Sequence, residues 1–113
     1  MSGITRDSVI ASMQAAAERM GLDLEDLQEM INEVLEDCLG KVQNLKKAIS
    51  EQDHALVKAI AHDIKGSTAN YGLPTASAIA FQVEQNIEAA TVEMADSLNQ
   101  QFEEFSKLGL DKP

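Results

Sequence analysis

His62 is the residue of this sequence best placed for chemistry, because it stands in a helix-forming segment among basic and small neighbours. Helical residues advance by about 100° each, so His62 lies roughly 200° from both Ile60 and Ile64 and is predicted to face solvent. Lys58 and Lys65 lie one turn before and one turn after it on the same face. An exposed imidazole is a nitrogen nucleophile, and lysines donate hydrogen bonds to phosphoryl oxygens. The cluster therefore predicts a phosphoryl acceptor.

Gly66 stands four residues after His62, where a larger side chain would lean back over the imidazole. A glycine inside a helix costs about 0.5 to 1 kcal/mol relative to alanine, and nothing in the local sequence requires a break there. We therefore interpret Gly66 as a clearance position that leaves His62 open to a partner. His54 has no such glycine, and we interpret it as an ordinary solvated histidine.

Five helices are predicted from apolar spacing and from residues that start and end helices. They cover about residues 5–20, 23–50, 54–70, 74–90 and 91–108. Gly21 and Gly72 mark helix ends, and Pro74 suits the first turn of the fourth helix. The predicted buried stripes include Met20 on the first helix, Leu56 on the third, and Ile87 and Ala90 on the fourth. Residues 109–113 are predicted to form a frayed tail.

The predicted fold class is all-α, with an antiparallel up-down four-helix bundle formed by about residues 23–108. Short connections between helices of similar length favour antiparallel neighbours. The accessory N-terminal helix, about residues 5–20, is expected to pack across one end or side of the bundle. A chain of 113 residues has the size of one compact domain, so residues 1–113 are expected to form a single domain.

The charge balance restricts the class of partner. Nine Lys and Arg residues against nineteen Asp and Glu residues give a formal charge of −10. Such a surface is repelled by nucleic acid and anionic lipid, and a chain without Trp offers little for stacking bases. Protein partners are therefore expected, without nucleic acid or membrane. No apolar run approaches the ~18 residues of a membrane span and no secretory signal is recognisable, so the expected location is the cytoplasm.

No metal or cofactor is expected in this chain. The single cysteine, Cys38, excludes an internal disulfide and a multi-thiolate site, and it is predicted to be buried. A di-iron bundle needs Glu-x-x-His from two helices, and only Glu51 to His54 has that spacing. Asp63 alone stands beside His62 as a hard ligand for Mg²⁺. The sequence has no glycine-rich nucleotide loop, so a kinase is not expected.

The run His62-Asp63-Ile64-Lys65-Gly66-Ser67, followed by Gly72-Leu73 and Val83-Glu84, resembles the signature of histidine-containing phosphotransfer (HPt) domains of bacterial multistep phosphorelays. The match covers about residues 56–88. It implies a four-helix bundle whose histidine accepts a phosphoryl group on Nε2 from an aspartyl phosphate of a receiver domain and passes it to another receiver. The expected partners are receiver domains of response regulators or hybrid histidine kinases. Mg²⁺ is expected only in those partners, and the carrier is expected to be a monomer.

The resemblance also implies a role for each residue of the cluster. His62 takes the role of phosphoacceptor, Lys65 that of supporting cation, and Gly66 that of clearance position. Family members often carry a Gln or Glu near the imidazole on the next helix, and Glu84 occupies that position here. A carboxylate at Nδ1 holds the tautomer that leaves Nε2 free to attack. Lys58 is a further candidate, with an exposed lysine paired to nearby acids as the alternative.

Two alternative functions use the same helical pattern. A histidine-kinase dimerisation domain also carries a phosphorylated histidine on a bundle, but its motif places a proline five residues after the histidine. This chain has Ser67 at that position, which argues against such a domain. A noncatalytic helical adaptor that docks a signalling protein through the surface around His62 stays open as the alternative to a phosphotransfer carrier.

Overall fold

The computed structural model describes residues 4–112, so residues 1–3 and Pro113 lie outside the described part of the chain. The helices of this part are α1 (Arg6–Met20), α2 (Leu24–Ser50), α3 (His54–Asn70), α4 (Pro74–Gln85) and α5 (Val92–Ser106), and a 3-10 turn at Ile87–Ala89 lies between α4 and α5. Residues 4–112 contain no β-strand, which confirms the all-α class. None of their helices is both long and apolar enough to cross a membrane.

Local sequence signals set most of the helix ends. The hydroxyl groups of Thr5 and Thr91 cap α1 and α5, and each accepts a hydrogen bond from the backbone N–H three residues later. Gly21 ends α1 with a φ of 71°, a left-handed conformation that glycine adopts readily. Pro74 occupies the first turn of α4. The predicted bounds of α1, α2 and α3 therefore agree closely with the structure.

The fourth helix is shorter than the prediction, which continues it to about residue 90. It ends at Gln85, because Asn86 leaves the helical region with a φ of −132° and a ψ of 54°. Ile87 and Ala90, predicted on the stripe of this helix, are nevertheless packed against the core. The apolar spacing continues past the end of the helix because the 3-10 turn also packs against α3.

Four helices form a closed ring around the core, since α2 packs against α3 and α5, and α4 packs against α3 and α5. The centre contains large side chains that are fully buried, among them Leu35, Leu98 and Phe102. Cys38 is buried there, as predicted, and its burial raises the pKa of the thiol to about 11. The thiol is therefore protonated at neutral pH and acts as a small apolar side chain.

Two residues of the predicted stripes are exposed. Met20 is 42% exposed and Leu56 is 44% exposed. Met20 is the last residue of α1 and Leu56 lies in the first turn of α3, so each helix carries its stripe beyond the core. Ala61, which the prediction leaves out of the α3 stripe, is fully buried instead. The prediction for Met20 and Leu56 is therefore wrong.

Gly72 allows the accessory helix to approach the link between α3 and α4. Its φ is 74°, and a Cβ atom built at this position would lie 2.4 Å from the backbone oxygen of Ser12. Glycine alone meets both the backbone conformation and this contact. The accessory helix therefore packs against the link after α3 as well as against α2.

The C-terminal segment is packed against the bundle, so the prediction of a frayed tail is wrong for residues 109–112. Leu110 is 1% exposed and belongs to the core. The buried Gln28 side chain donates a hydrogen bond to the carbonyl of Lys112 at 2.7 Å, and the Arg6 guanidinium donates to the same carbonyl. These partners come from α1 and α2, which are far away in the sequence, so no local sequence pattern predicts these contacts.

Leu110→Ala tests whether the tail is part of the core. Because the side chain is buried, we expect the free energy of unfolding to fall by about 2 to 5 kcal/mol, measured by urea denaturation. Lys107→Ala changes an exposed residue of the same segment and serves as the control, with an expected effect within about 0.5 kcal/mol. Equal, small effects for the two variants would mean that the tail is not packed.

Candidate functional site

His62 projects from the outer face of α3, where its side chain is 68% exposed. The inner face of the same helix is buried and consists of Val57, Ala61, Ile64 and Thr68. Burial of this stripe fixes the rotation of α3 about its axis and turns the imidazole to solvent. The exposure of His62 that the helical spacing predicts is therefore confirmed.

Two hydroxyl groups, one of α3 and one of α4, bond to the α3 backbone about one turn after the histidine. The buried Thr68 hydroxyl donates to the carbonyl of Ile64 at 2.7 Å and lies 3.1 Å from the carbonyl of Lys65. Ser77 of α4 donates to the same carbonyl of Lys65 at 3.2 Å. The Ser77 bond therefore joins α4 to α3 at Lys65, whereas both Thr68 contacts lie within α3.

Glu84 of α4 forms hydrogen bonds with two residues of α3, His62 and Lys65. Its Oε2 atom lies 2.6 Å from Nδ1 of His62, and its Oε1 atom lies 2.7 Å from Nζ of Lys65. The carboxylate side chain is 8% exposed, whereas the histidine is largely open. An ionised carboxylate only accepts hydrogen bonds, so Nδ1 of a neutral His62 carries the hydrogen and Nε2 keeps its lone pair. The opposite nitrogen is therefore the nucleophilic one.

The ionised state of Glu84 follows from its partners. The hydrogen bond from Lys65 is the largest cause that lowers the pKa of this carboxyl below its ordinary value. Burial acts in the opposite direction, and the hydrogen bond from His62 adds to the lowering. The net shift is downward, so Glu84 carries its negative charge at neutral pH.

Lys65 is held against α4. Its side chain is 28% exposed, and its ammonium lies 5.3 Å from the centre of the Phe81 ring, a cation–π distance. Phe81 itself is 48% exposed, beside the site. The spacing in the sequence places Lys65 near a phosphoryl group on His62, but the structure shows its ammonium bound to Glu84. A sequence alone does not reveal this partner, because it depends on the rotation of α4.

The structure leaves the space around the imidazole open on the side of Gly66. A Cβ atom built on this exposed glycine meets nothing within 4 Å, so no internal contact requires its small size. The side chain of Lys58 is exposed, and within residues 4–112 it makes no ion pair with Glu84. Three of the predicted residues, His62, Lys65 and Glu84, are therefore in contact, while Lys58 stands apart.

A second set of charges beside the site is missing from the sequence-based interpretation. Lys41 of α2 lies 2.9 Å from Asp37 of the same helix and 3.0 Å from Asp63, the residue after His62. Burial lowers the pKa of Lys41, but the hydrogen bonds to both aspartates outweigh it and the net shift is upward. The Asp37-Lys41 spacing is a visible helical pair, whereas the contact with Asp63 requires the alignment of α2 with α3.

The remaining candidate ligands lie apart. His54 is exposed at the first position of α3 and has no place in the contacts around Glu84. Over residues 4–112, His, Cys, Asp and Glu side chains form no group of three or more with the geometry to hold a metal ion. The contact that the structure gives the imidazole of His62 is its hydrogen bond with Glu84.

Comparison with protein families assigns the chain to a family. A family model described as Hpt domain matches residues 29–107 of the 113-residue chain, a span that includes His62, Lys65 and Glu84. The chain belongs to the Hpt domain family. Hpt domains are phosphotransfer carriers of histidine-based phosphorelays, are not kinases, and interact with receiver domains. No curated protein and no solved structure matches the chain.

Titration of Glu84 in this Hpt domain tests the contact with Lys65. Because the pKa of Glu84 is lowered in the folded state, the contact stabilises the fold above the unfolded-state pKa. This contribution disappears as the pH falls through the lowered pKa. We expect the Glu84 carboxyl signal in a ¹³C NMR titration to have a midpoint below that of a solvated glutamate. Lys65→Met removes the main cause, so it should raise the midpoint.

Lys47→Met, which removes an exposed lysine of α2, is the matched control and should leave the Glu84 midpoint where it is. An unchanged midpoint in Lys65→Met would show that the ammonium does not bind this carboxylate in solution.

Proposed function

We propose that this Hpt domain accepts a phosphoryl group on Nε2 of His62 from an aspartyl phosphate of a receiver domain and passes it to a second receiver. The contact between Nδ1 of His62 and Oε2 of Glu84, at 2.6 Å, carries the proposal. It fixes the tautomer in which Nε2 bears the lone pair. The histidine is 68% exposed, so a partner protein can reach that nitrogen.

The proposed transfer balances without a further reactant. The lone pair of Nε2 forms a bond to phosphorus while the bond from phosphorus to the aspartyl oxygen breaks, and that electron pair leaves with the aspartate carboxylate. The imidazole becomes positive as the N–P bond forms. Its Nδ1–H keeps its hydrogen bond to Glu84, which stabilises the developing charge. Onward transfer is the same step in the opposite direction, with a new aspartate as acceptor.

The proposed partners are receiver domains of response regulators or hybrid histidine kinases. These partners hold the Mg²⁺ that their aspartate chemistry needs, and the carrier takes part as a monomer in the cytoplasm. The closed ring of four helices and the short links between them support the antiparallel up-down bundle expected for such a carrier. In that arrangement α3 and α4 present one face to the receiver, with His62, Phe81 and Gly66 on it.

His62→Gln tests the acceptor directly. We expect it to abolish labelling by a panel of radiolabelled, phosphorylated receiver domains, whereas His54→Gln retains labelling. His54 lies on the same helix and is also exposed, so it is a matched control. The label on the parent protein should be acid-labile and alkali-stable, as for phosphohistidine. Labelling of His62→Gln at the parental level would overturn the assignment.

The same assay separates a carrier from a noncatalytic adaptor. A parent protein that binds receivers tightly but takes no label from any of them would favour the adaptor. The carrier is supported if the parent protein is labelled, and if His62→Gln is not labelled but still binds the receiver.

Gly66→Gln tests the clearance position. Because the backbone there is helical and the space is open, we expect the free energy of unfolding to be unchanged or to rise by up to ~1 kcal/mol. The new side chain leans back across His62 and obstructs the approach of the aspartyl phosphate, so transfer should fall by about a hundredfold. Melting temperature and transfer rate are measured on one preparation.

Ala15→Gln places the same side chain on an exposed position of α1 and should leave both the stability and the transfer rate close to those of the parent. A destabilised Gly66→Gln protein with normal transfer would mean that the glycine serves the helix and not the partner.

A further inference from the structure

Lys65 and His62 share one carboxylate, with one donor on each oxygen. The Lys65 ammonium lies 2.7 Å from Oε1 of Glu84, and the imidazole lies 2.6 Å from Oε2. The lysine is held in place from a second side by the ring of Phe81. Its ammonium is therefore committed to α4 before any phosphoryl group is present. This geometry raises the question of what Lys65 does for the histidine.

A carboxylate beside an imidazole has two effects that oppose each other in a carrier. It holds the hydrogen on Nδ1, which leaves Nε2 free, and that effect favours transfer. Its negative charge also favours the doubly protonated imidazolium, which has no lone pair on Nε2 and cannot attack phosphorus. The same charge stabilises the positive ring of the phosphorylated state and slows the onward step. The hydrogen bond of Glu84 therefore favours phosphoryl transfer, whereas its full negative charge opposes both the attack by Nε2 and the onward step.

We propose that Lys65 is a positioning residue that neutralises Glu84 and so keeps His62 unprotonated and nucleophilic, instead of binding the phosphoryl group itself. The inference rests on the proposed role of His62 as phosphoacceptor. The ammonium offsets part of the carboxylate charge from the oxygen that His62 does not use. Glu84 then keeps its hydrogen bond to the imidazole while the pair of Glu84 and Lys65 carries no net charge.

The other charged groups on the elements around His62 do not provide this compensation. They include Lys58 and Asp63 of α3, Asp37 and Lys41 of α2, and Glu88 of the 3-10 turn that packs on α3. Lys41 is bound to Asp63 at 3.0 Å and to Asp37 at 2.9 Å, so this set of charges is net negative and supplies no cation to Glu84. Glu88 is exposed to solvent. Lys65 is the cation that the structure shows in contact with Glu84, the carboxylate bonded to the imidazole.

The pH profile of phosphoryl acceptance tests the proposal in Lys65→Met. Without the ammonium, the charge of Glu84 favours the imidazolium, so we expect the acidic limb of the profile to move up by about one pH unit. Well above that limb the acceptance rate should approach the parental rate, and onward transfer to a second receiver should be slower than in the parent. Lys65→Arg keeps the charge and should keep the parental profile.

A double-mutant cycle with Glu84→Gln separates the two roles of Lys65. If Lys65 acts through Glu84, Lys65→Met changes the rate by less than about twofold once the carboxylate is gone. If Lys65 binds the phosphoryl group, its removal slows acceptance by roughly ten- to a hundredfold at every pH and does so equally in the Glu84→Gln background. The second pattern would overturn the proposal.

Failure of this inference is distinguishable from failure of the proposed function. A parent protein that takes no His62-dependent label contradicts the phosphotransfer function itself. A parent that is labelled on His62, with a Lys65→Met variant whose acidic limb does not move, contradicts only the role of Lys65. Lys47→Met, which removes an exposed lysine of α2 outside the site, controls for the loss of one positive charge and should keep the parental profile.

Discussion

One carboxylate, that of Glu84, connects the chemistry of this domain to its fold, because it bonds the imidazole of His62 with one oxygen and the ammonium of Lys65 with the other. Both bonds cross from α4 to α3, so they exist only at one rotation of each helix. That rotation is fixed by burial of the inner faces of the two helices, which include Ala61 on α3 and Ala80 on α4. The packing of the core therefore sets the tautomer of an exposed histidine.

Glu84 occupies an unfavourable place for a negative charge. It lies in the last turn of α4, next to the helix C-terminus, where the helix dipole favours positive groups. Its side chain is also 8% exposed, so little water is available to solvate it. The two donors of α3 offset both effects, and the lowered pKa of Glu84 shows that they prevail. Removal of either donor leaves the carboxylate without the partner that its position requires.

Much of this arrangement can be predicted from the sequence, and the features that cannot be predicted have physical causes. Local signals set the bounds of α1 to α3, and helical spacing predicts that His62 faces solvent. The end of α4 is not visible in the apolar spacing, because Ile87 and Ala90 continue that spacing and stay packed against the core. The C-terminal segment is held by Arg6 and Gln28, which donate to the carbonyl of Lys112 and are brought near it by tertiary contacts alone. The partner of Lys65 depends on the rotation of α4, which periodicity fixes only approximately.

Glycines show how the needs of the fold differ from those of a partner. Gly72 is required internally, because a Cβ atom there would strike the backbone of Ser12. Gly66 has open space around it, so its cost in helix stability is not recovered by any contact within the described residues. Gly40 of α2 has the same open space, so openness alone does not identify a functional glycine. Gly66 differs in standing one turn after the exposed His62, the proposed phosphoacceptor. In the proposed function the missing side chain gives a partner access to His62 from outside the domain.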